Sequence, residues 1–217
     1  MSINLIIFDL DGTLVDTSLD LCNAINYAIK PTNSRPITVE ETKMIVGEGI
    51  TRLFEKIKLE GSEGISKEAL LERFIEYYTN HLLDNTKPYP HVEDTLKRLY
   101  NYKKTIVSNK REGMSRDIIK GLGLIHFFEM IVGSDTIGVK KPSPEPLLYV
   151  MNNLNYSHDE TVIVGDSNYD IEAGKAIGIR TIAVTYGFRP IEYLLSADFI
   201  INEINELPDL LNSLNKQ

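Results

Sequence analysis

Five short runs of the chain are apolar with almost no alternation: Leu5 to Phe8, Thr105 to Val107, Met130 to Val132, Thr161 to Val164 and Thr181 to Val184. A strand with one wet face alternates apolar and polar residues, so runs like these fit strands covered on both faces, as in a parallel sheet. Between them, apolar residues recur at helical spacing: Val92, Leu96 and Leu99; Ile118, Ile119 and Leu122; Leu147, Val150 and Leu154; Ile171 and Ile177. Strand and helix alternate, which predicts an α/β fold with a doubly wound, mostly parallel sheet.

From about residue 16 to 87 this rhythm gives way to helices alone. Leu19, Cys22, Ile25 and Ile29 are spaced to share one face, Thr38 and Glu41 make a T-x-x-E capping box, and Leu70, Phe74, Tyr77, Tyr78 and Leu82 continue the pattern. The expected organisation is an α/β core of residues 1–15 and 88–217, with a helical cap, 16–87, inserted after the first strand. Asp16 to Leu19 and Asn85 to Pro90 are the expected linkers. With 217 residues and 42% hydrophobic content, the chain can bury a substantial core.

The formal net charge of −8 disfavours nucleic acid and anionic membranes as partners, since both would repel the average surface. An anionic small substrate remains open, because a local cation can invert the field of a site. A single cysteine, Cys22, cannot form an internal disulfide. Neither a basic signal-peptide start nor an apolar run of membrane-spanning length is present, so a reducing cytoplasm is the expected compartment.

In an open parallel sheet, ligands bind beyond the carboxyl ends of the strands. That is where the chain places its unusual residues. Asp9 and Asp11 follow the first run, Ser108 and Asn109 the second, Asp166 and Asp170 the fourth, and Lys141 lies in the loop after the third. Each alone reads as a turn, cap or surface residue; Ser143 before Pro144, for instance, reads as a helix start with proline at the first position. Together, the four acids crowd one edge and repel unless a cation sits among them, and oxygen ligands without histidine or thiolate point to Mg2+. A cation beside a lysine and hydroxyl donors is a place where a phosphoryl group can rest and react. Two carboxylates two residues apart then suit a nucleophile and a proton shuttle.

The ordered set DLDGT at Asp9 to Thr13, VSN ending at Ser108 and Asn109, KP at Lys141 and Pro142, and GDSNYD at Gly165 to Asp170 resembles the haloacid dehalogenase superfamily of phosphohydrolases. The resemblance implies Asp9 as nucleophile and Asp11 as general acid and base. Ser108 and the Asn109 backbone would bind the phosphoryl group, and Lys141 would hold nucleophile and phosphate together. Mg2+ would be held by Asp9, the Asp11 carbonyl and Asp166, with Asp170 supporting it through water or from behind the ligands. Retention of Asp11 favours phosphate ester hydrolysis over dehalogenation. The insert lysines Lys43, Lys56 and Lys58 lie in no context that suggests a Schiff base.

Three further stretches, VGEGITRLFEKI, SNKREGMSRDIIKGLGL and VTYGFRP, are similar to the phosphoglycolate phosphatase group. That likeness implies a small phosphorylated metabolite as substrate, with 2-phosphoglycolate favoured over pyrophosphate, nucleotides, sugar phosphates or a mutase reaction. A non-catalytic phospholigand-binding module is the alternative from another class. Gly47, Glu48, Gly49 and Arg52 are the candidate cap contacts to substrate, set against a plain turn between cap helices. His91 stands where relatives commonly carry glycine and is read as a surface turn residue. Monomer and homodimer both remain open.

Overall fold

The computed structural model describes residues 2–57, 59–61 and 65–216; Lys58 lies outside them. In chain order, β1 (Leu5–Phe8) and β2 (Val15–Asp16) lead into α1 (Ser18–Ile29), α2 (Val39–Ile45), α3 (Leu53–Lys56) and α4 (Lys67–Asn80). Then follow β3 (Lys87–Pro88), α5 (Val92–Arg98), β4 (Lys103–Val107), α6 (Glu112–Gly121), β5 (Met130–Val132) and α7 (Glu145–Leu154). The chain continues through β6 (Thr161–Gly165), α8 (Asn168–Ala176), β7 (Arg180–Val184), β8 (Phe199–Ile201) and α9 (Leu207–Leu214).

Six strands form one sheet in the order β5-β4-β1-β6-β7-β8, and every pair is parallel. Both faces are covered. Along β1, Ile6 and Phe8 enter the larger hydrophobic cluster with α5, α6 and α9, while Leu5 and Ile7 enter a second cluster with Leu147, Val150 and Met151 of α7. This explains the missing alternation: successive side chains of β1 point to opposite faces, and both faces are dry.

From β1 the chain moves outward to β4 and β5, then returns across to β6, β7 and β8 on the other side. The switch point is therefore between β1 and β6, where a crevice opens at the strand ends.

Between β2 and β3 lie α1 to α4. Helix α1 packs on α4 through Ala24, Ile25, Ala28, Phe74 and Tyr78, all in the larger cluster. Ring stacking between Tyr27 and Tyr77, at 4.6 Å, joins the outer sides of these helices. The expected face of α1 is shifted: Leu19 is exposed, and Leu21 with Ala24 and Ala28 complete the buried stripe instead. The Thr38–Glu41 capping box is present on α2, with both reciprocal hydrogen bonds formed.

The expected linkers meet in a two-residue ribbon, Val15 opposite Pro88 and Asp16 opposite Lys87, which begins one residue before the first of them. Asp16 accepts hydrogen bonds from the Ser18 amide and hydroxyl, which starts α1. The buried Asp20 carboxylate accepts from the Asn85 amide and side chain and from the Thr86 amide and hydroxyl, at 2.7–2.9 Å. A charge this deep needs such partners, and here they fasten the start of α1 to the outgoing linker.

One local reading is corrected. Helix α7 starts at Glu145 rather than directly after Ser143; Pro144 takes the cap position and Pro146 lies within the first turn. Proline is tolerated in either place because first-turn amides lack intrahelical partners. His91 adopts a left-handed conformation, φ 66°, just before α5. It is exposed there, the surface turn residue expected, in a conformation that glycine adopts without a steric penalty. No helix among the described residues is long and apolar enough to cross a membrane.

Candidate active site

The side chains at the ends of β1, β4 and β6, with Lys141, converge on the switch-point crevice. Hydrogen bonding of the Asp9 amide to the Val164 carbonyl, 2.9 Å, continues the β1–β6 pairing one step past the strand and fixes where the Asp9 side chain leaves the sheet. Lys141 Nζ lies 2.9 Å from Asp9 Oδ1, an ion contact without hydrogen-bond geometry that leaves this buried oxygen without a hydrogen-bond partner among the described residues. The same ammonium donates to Asp170 Oδ1 at 2.6 Å and to the Val107 carbonyl at 2.5 Å. Burial works against the lysine's charge, but Asp170 and Asp9 outweigh it and hold its pKa above the ordinary value.

Asp9 itself is pushed up to about 7, chiefly by burial, against the opposing pull of Lys141 and with further repulsion from Asp170 and Asp11. Asp166 is also raised well above the ordinary carboxylate range by burial, with Asp9 and Asp170 adding to it. Oxygens of Asp9, Asp166 and Asp170 lie within 4.8 Å of one another. Two buried acids held this unfavourably make an all-oxygen donor set that fits a hard divalent cation.

Asp170 is committed elsewhere. Its second oxygen accepts from the Ser167 amide and hydroxyl, closing a capping box on α8, so both oxygens have protein partners. This geometry makes Asp170 a support for Lys141. Asp166 accepts from the Phe188 amide at 2.6 Å. Gly12 and Gly187 flank it: a Cβ on Gly12, where φ is 85°, would come within 2.2 Å of Asp166 Oδ2, and one on Gly187 within 2.3 Å of Asp166 Cβ. The loops after β1 and β7 can close on Asp166 only without side chains there.

Asp11 keeps different company from Asp9. Its Oδ1 accepts from the Thr17 hydroxyl at 2.7 Å, and its Oδ2 lies 3.0 Å from Lys110 Nζ. Lys110 is buried and donates to the Tyr78 hydroxyl at 2.8 Å. Burial opposes the ammonium, yet Asp11 and Tyr78 raise its pKa above the usual lysine value. Ser108 is buried at the end of β4, and its hydroxyl accepts from the Lys110 amide. The Asn109 side chain donates to the carbonyls of Gly47 and Lys141, both at 2.8 Å, so its amide nitrogen ties the insert to the core.

Of the cap candidates, Gly47 and Gly49 line the cavity at positive φ, whereas Glu48 and Arg52 are not part of its lining. Glu48 pairs with Lys56 at 2.6 Å and accepts from Tyr169 at 2.6 Å; the Lys56 and Tyr169 hydrogen bonds pull its pKa down to about 2. Arg52, largely exposed, lies 3.6 Å from Glu48.

No motif marks Lys110, Tyr78 or Arg189 as site residues; Tyr78 reads from sequence only as part of a helical face. Arg189 is buried and donates to the carbonyls of Lys43, Met44 and Val46, where α2 ends. With Asn109 on Gly47 and Lys140 on the Glu48 carbonyl, it clasps the insert over the strand ends. The cavity below is about 60 Å³ and is walled by Leu21, Ile50, Leu53, Phe74, Met114 and Phe188 around the polar groups already described.

The family model for haloacid dehalogenase-like hydrolases matches residues 6–184. The chain is a haloacid dehalogenase-like hydrolase. This hydrolase is 34% identical to a phosphoglycolate phosphatase of Aquifex aeolicus, with 96% of each chain covered. It is 37% identical to one of Chromobacterium violaceum, with 97% of each covered. The crystal structure of a predicted phosphoglycolate phosphatase from Haemophilus somnus superposes with a TM-score of 0.87 at 26% identity, covering 97% of this hydrolase and 98% of that chain.

Proposed function

We propose that this hydrolase cleaves small phosphate monoesters through an aspartyl-phosphate on Asp9, with Mg2+ as cofactor and 2-phosphoglycolate as substrate. The observation that carries the reading is the division of labour between two acids two residues apart: Asp9 faces Lys141 and Asp166, while Asp11 faces Thr17 and Lys110.

In the first half-reaction an Asp9 oxygen attacks phosphorus, the phosphorus–ester oxygen bond breaks, and Asp11 gives its proton to the departing oxygen. Asp11 then takes a proton from water, which attacks the same phosphorus and releases inorganic phosphate and the free Asp9 carboxylate. Lys141 offsets the negative charge of Asp9 as the phosphate dianion approaches, and Asp170 keeps the ammonium in place. Ser108 and the Asn109 backbone serve the phosphoryl oxygens. Asp9, Asp166 and the Asp11 carbonyl would hold Mg2+, which supplies charge neutralisation at the phosphoryl group when bound.

Residues 16–87 form a cap over a core of 1–15 and 88–217 in this reading, and the β2–β3 ribbon is its hinge. Closure would exclude water from the first transfer. A reducing cytoplasm suits the free, buried Cys22. Small phosphorylated metabolites, and no nucleic acid, are the expected partners.

A panel of phosphoglycolate, pyrophosphate, nucleotides and sugar phosphates, each with Mg2+ and with EDTA, tests the reading. The highest kcat/KM is expected for phosphoglycolate, with loss of turnover in EDTA. Binding without turnover of any panel member would instead indicate a phospholigand-binding module.

A further inference from the structure

Beside the acid that would protonate the leaving group, the cavity wall carries a buried cation that the proposed chemistry does not use. Lys110 comes from the core, directly after Ser108 and Asn109, and Tyr78 comes from α4 of the insert; both line the cavity. An ammonium has three N–H donors. Lys110 donates one to the Tyr78 hydroxyl at 2.8 Å and makes an ion contact with Asp11 Oδ2 at 3.0 Å, and among the described residues it has no further partner. The Tyr78 hydroxyl oxygen accepts that bond, and its own hydrogen meets no acceptor among the described residues. Its ring also lies against the ammonium, 4.7 Å from Nζ to the ring centroid, which keeps the cation in place.

Two spare donors side by side match the two oxygens of a carboxylate. Their position along the reaction path is set by Asp11, whose proton goes to the bridging ester oxygen. A group held by Lys110 next to Asp11 is therefore one or two bonds beyond that oxygen. In a phosphorylated 2-hydroxy acid, the carboxylate is separated from the bridging oxygen by a single carbon. On the same side of the cavity, Leu21, Leu53, Phe74 and Met114 offer apolar surface to that carbon.

Resting on the phosphatase reading, we infer that Lys110 and the Tyr78 hydroxyl form the subsite that selects a leaving group bearing a carboxylate next to its ester carbon. Specificity is then completed by one core and one insert residue, so a carboxylate bridges the two parts of the chain.

The test compares 2-phosphoglycolate with 2-hydroxyethyl phosphate, which replaces the carboxylate by a neutral hydroxymethyl group and keeps the same ester. The readout is the ratio of their kcat/KM values, in which any effect of Lys110 on Asp11 common to both substrates cancels. Wild type is expected to favour phosphoglycolate. Lys110→Met is expected to lower the ratio about tenfold or more, as for loss of a hydrogen bond to a charged group, and Tyr78→Phe by a smaller factor. Glycolate should inhibit wild type competitively, and Lys110→Met at least about tenfold more weakly. Should Lys110→Met fail to fold, the Tyr78→Phe ratio and glycolate inhibition of that variant decide. An unchanged ratio in the folded variants overturns the subsite while leaving the phosphatase reading intact, as does a wild type without preference. Failure of wild type to hydrolyse any phosphate ester, these two and the panel above included, refutes the phosphatase reading itself, and the subsite falls with it.

Discussion

Asp170 Oδ1 accepts a hydrogen bond from Lys141 Nζ at 2.6 Å, and both side chains are buried. The bond, made from the first turn of α8, aims the ammonium at Asp9. Asp170→Asn keeps an acceptor but loses the charge, so Lys141 should drift. We expect kcat to fall about tenfold to a hundredfold, with the unfolding free energy lower by about 1–3 kcal/mol. Steady-state kinetics and denaturant unfolding measure these; wild-type values for both would remove Asp170 from the positioning of Lys141.

Asp9 and Asp166 make metal-free stability depend on pH. Their folded pKa values lie above the unfolded ones, so the unfolded chain loses its protons first and the stabilising effect of the folded protonated state fades as pH rises from about 4 towards 7. Glu48, depressed to about 2, acts in the opposite sense, but its contribution is lost only below the ordinary glutamate range. Between pH 5 and 8, thermal unfolding in EDTA should therefore shift to lower temperature as pH rises. Added Mg2+ should restore the transition, most strongly at the alkaline end. A metal-free transition that rises with pH over this window would contradict the assignment.

Gly12→Ala should damage the site without touching any charged residue. A left-handed alanine costs about 1–2 kcal/mol, and its Cβ would displace the Asp166 carboxylate from 2.2 Å. The expected outcome is a lower midpoint of unfolding together with weaker Mg2+ binding by calorimetry. Normal metal affinity would show that Asp166 is not placed by this glycine.

The β1, β4, β5, β6 and β7 strands were legible because burial on both faces removes alternation, and the acids at their ends followed from the topology. The β8 strand was not, since Phe199–Ile201 is only three residues with Ile200 exposed, and the β2–β3 ribbon is two residues per strand. Leu19 has the spacing of the buried stripe of α1 but lies in its first turn and is exposed, so spacing alone misplaces it. Asp9, Asp11, Ser108, Lys141 and Asp166 could be picked out by motif. Lys110 and Arg189 could not, although both lie in stretches already noted: their partners, Tyr78 and the carbonyls of Lys43 to Val46, are brought to them only by tertiary packing.

Arg189 holds three carbonyls at once, a task for a planar fork of donors. Arg189→Lys should therefore rescue little of what Arg189→Ala loses. Both are expected to raise KM for phosphoglycolate and to increase the radius of gyration measured by small-angle scattering, as the insert is released from the strand ends. Wild-type scattering and KM in Arg189→Ala would argue that the clasp is incidental.

A covalent route through Asp9 is tested most directly by acid-quenching the enzyme during turnover of phosphoglycolate with Mg2+ and weighing its peptides. The route predicts one added phosphoryl group on the peptide that contains Asp9, and neither that label nor turnover in Asp9→Asn. Full turnover by Asp9→Asn, or a phosphoryl group found on another residue, would contradict it.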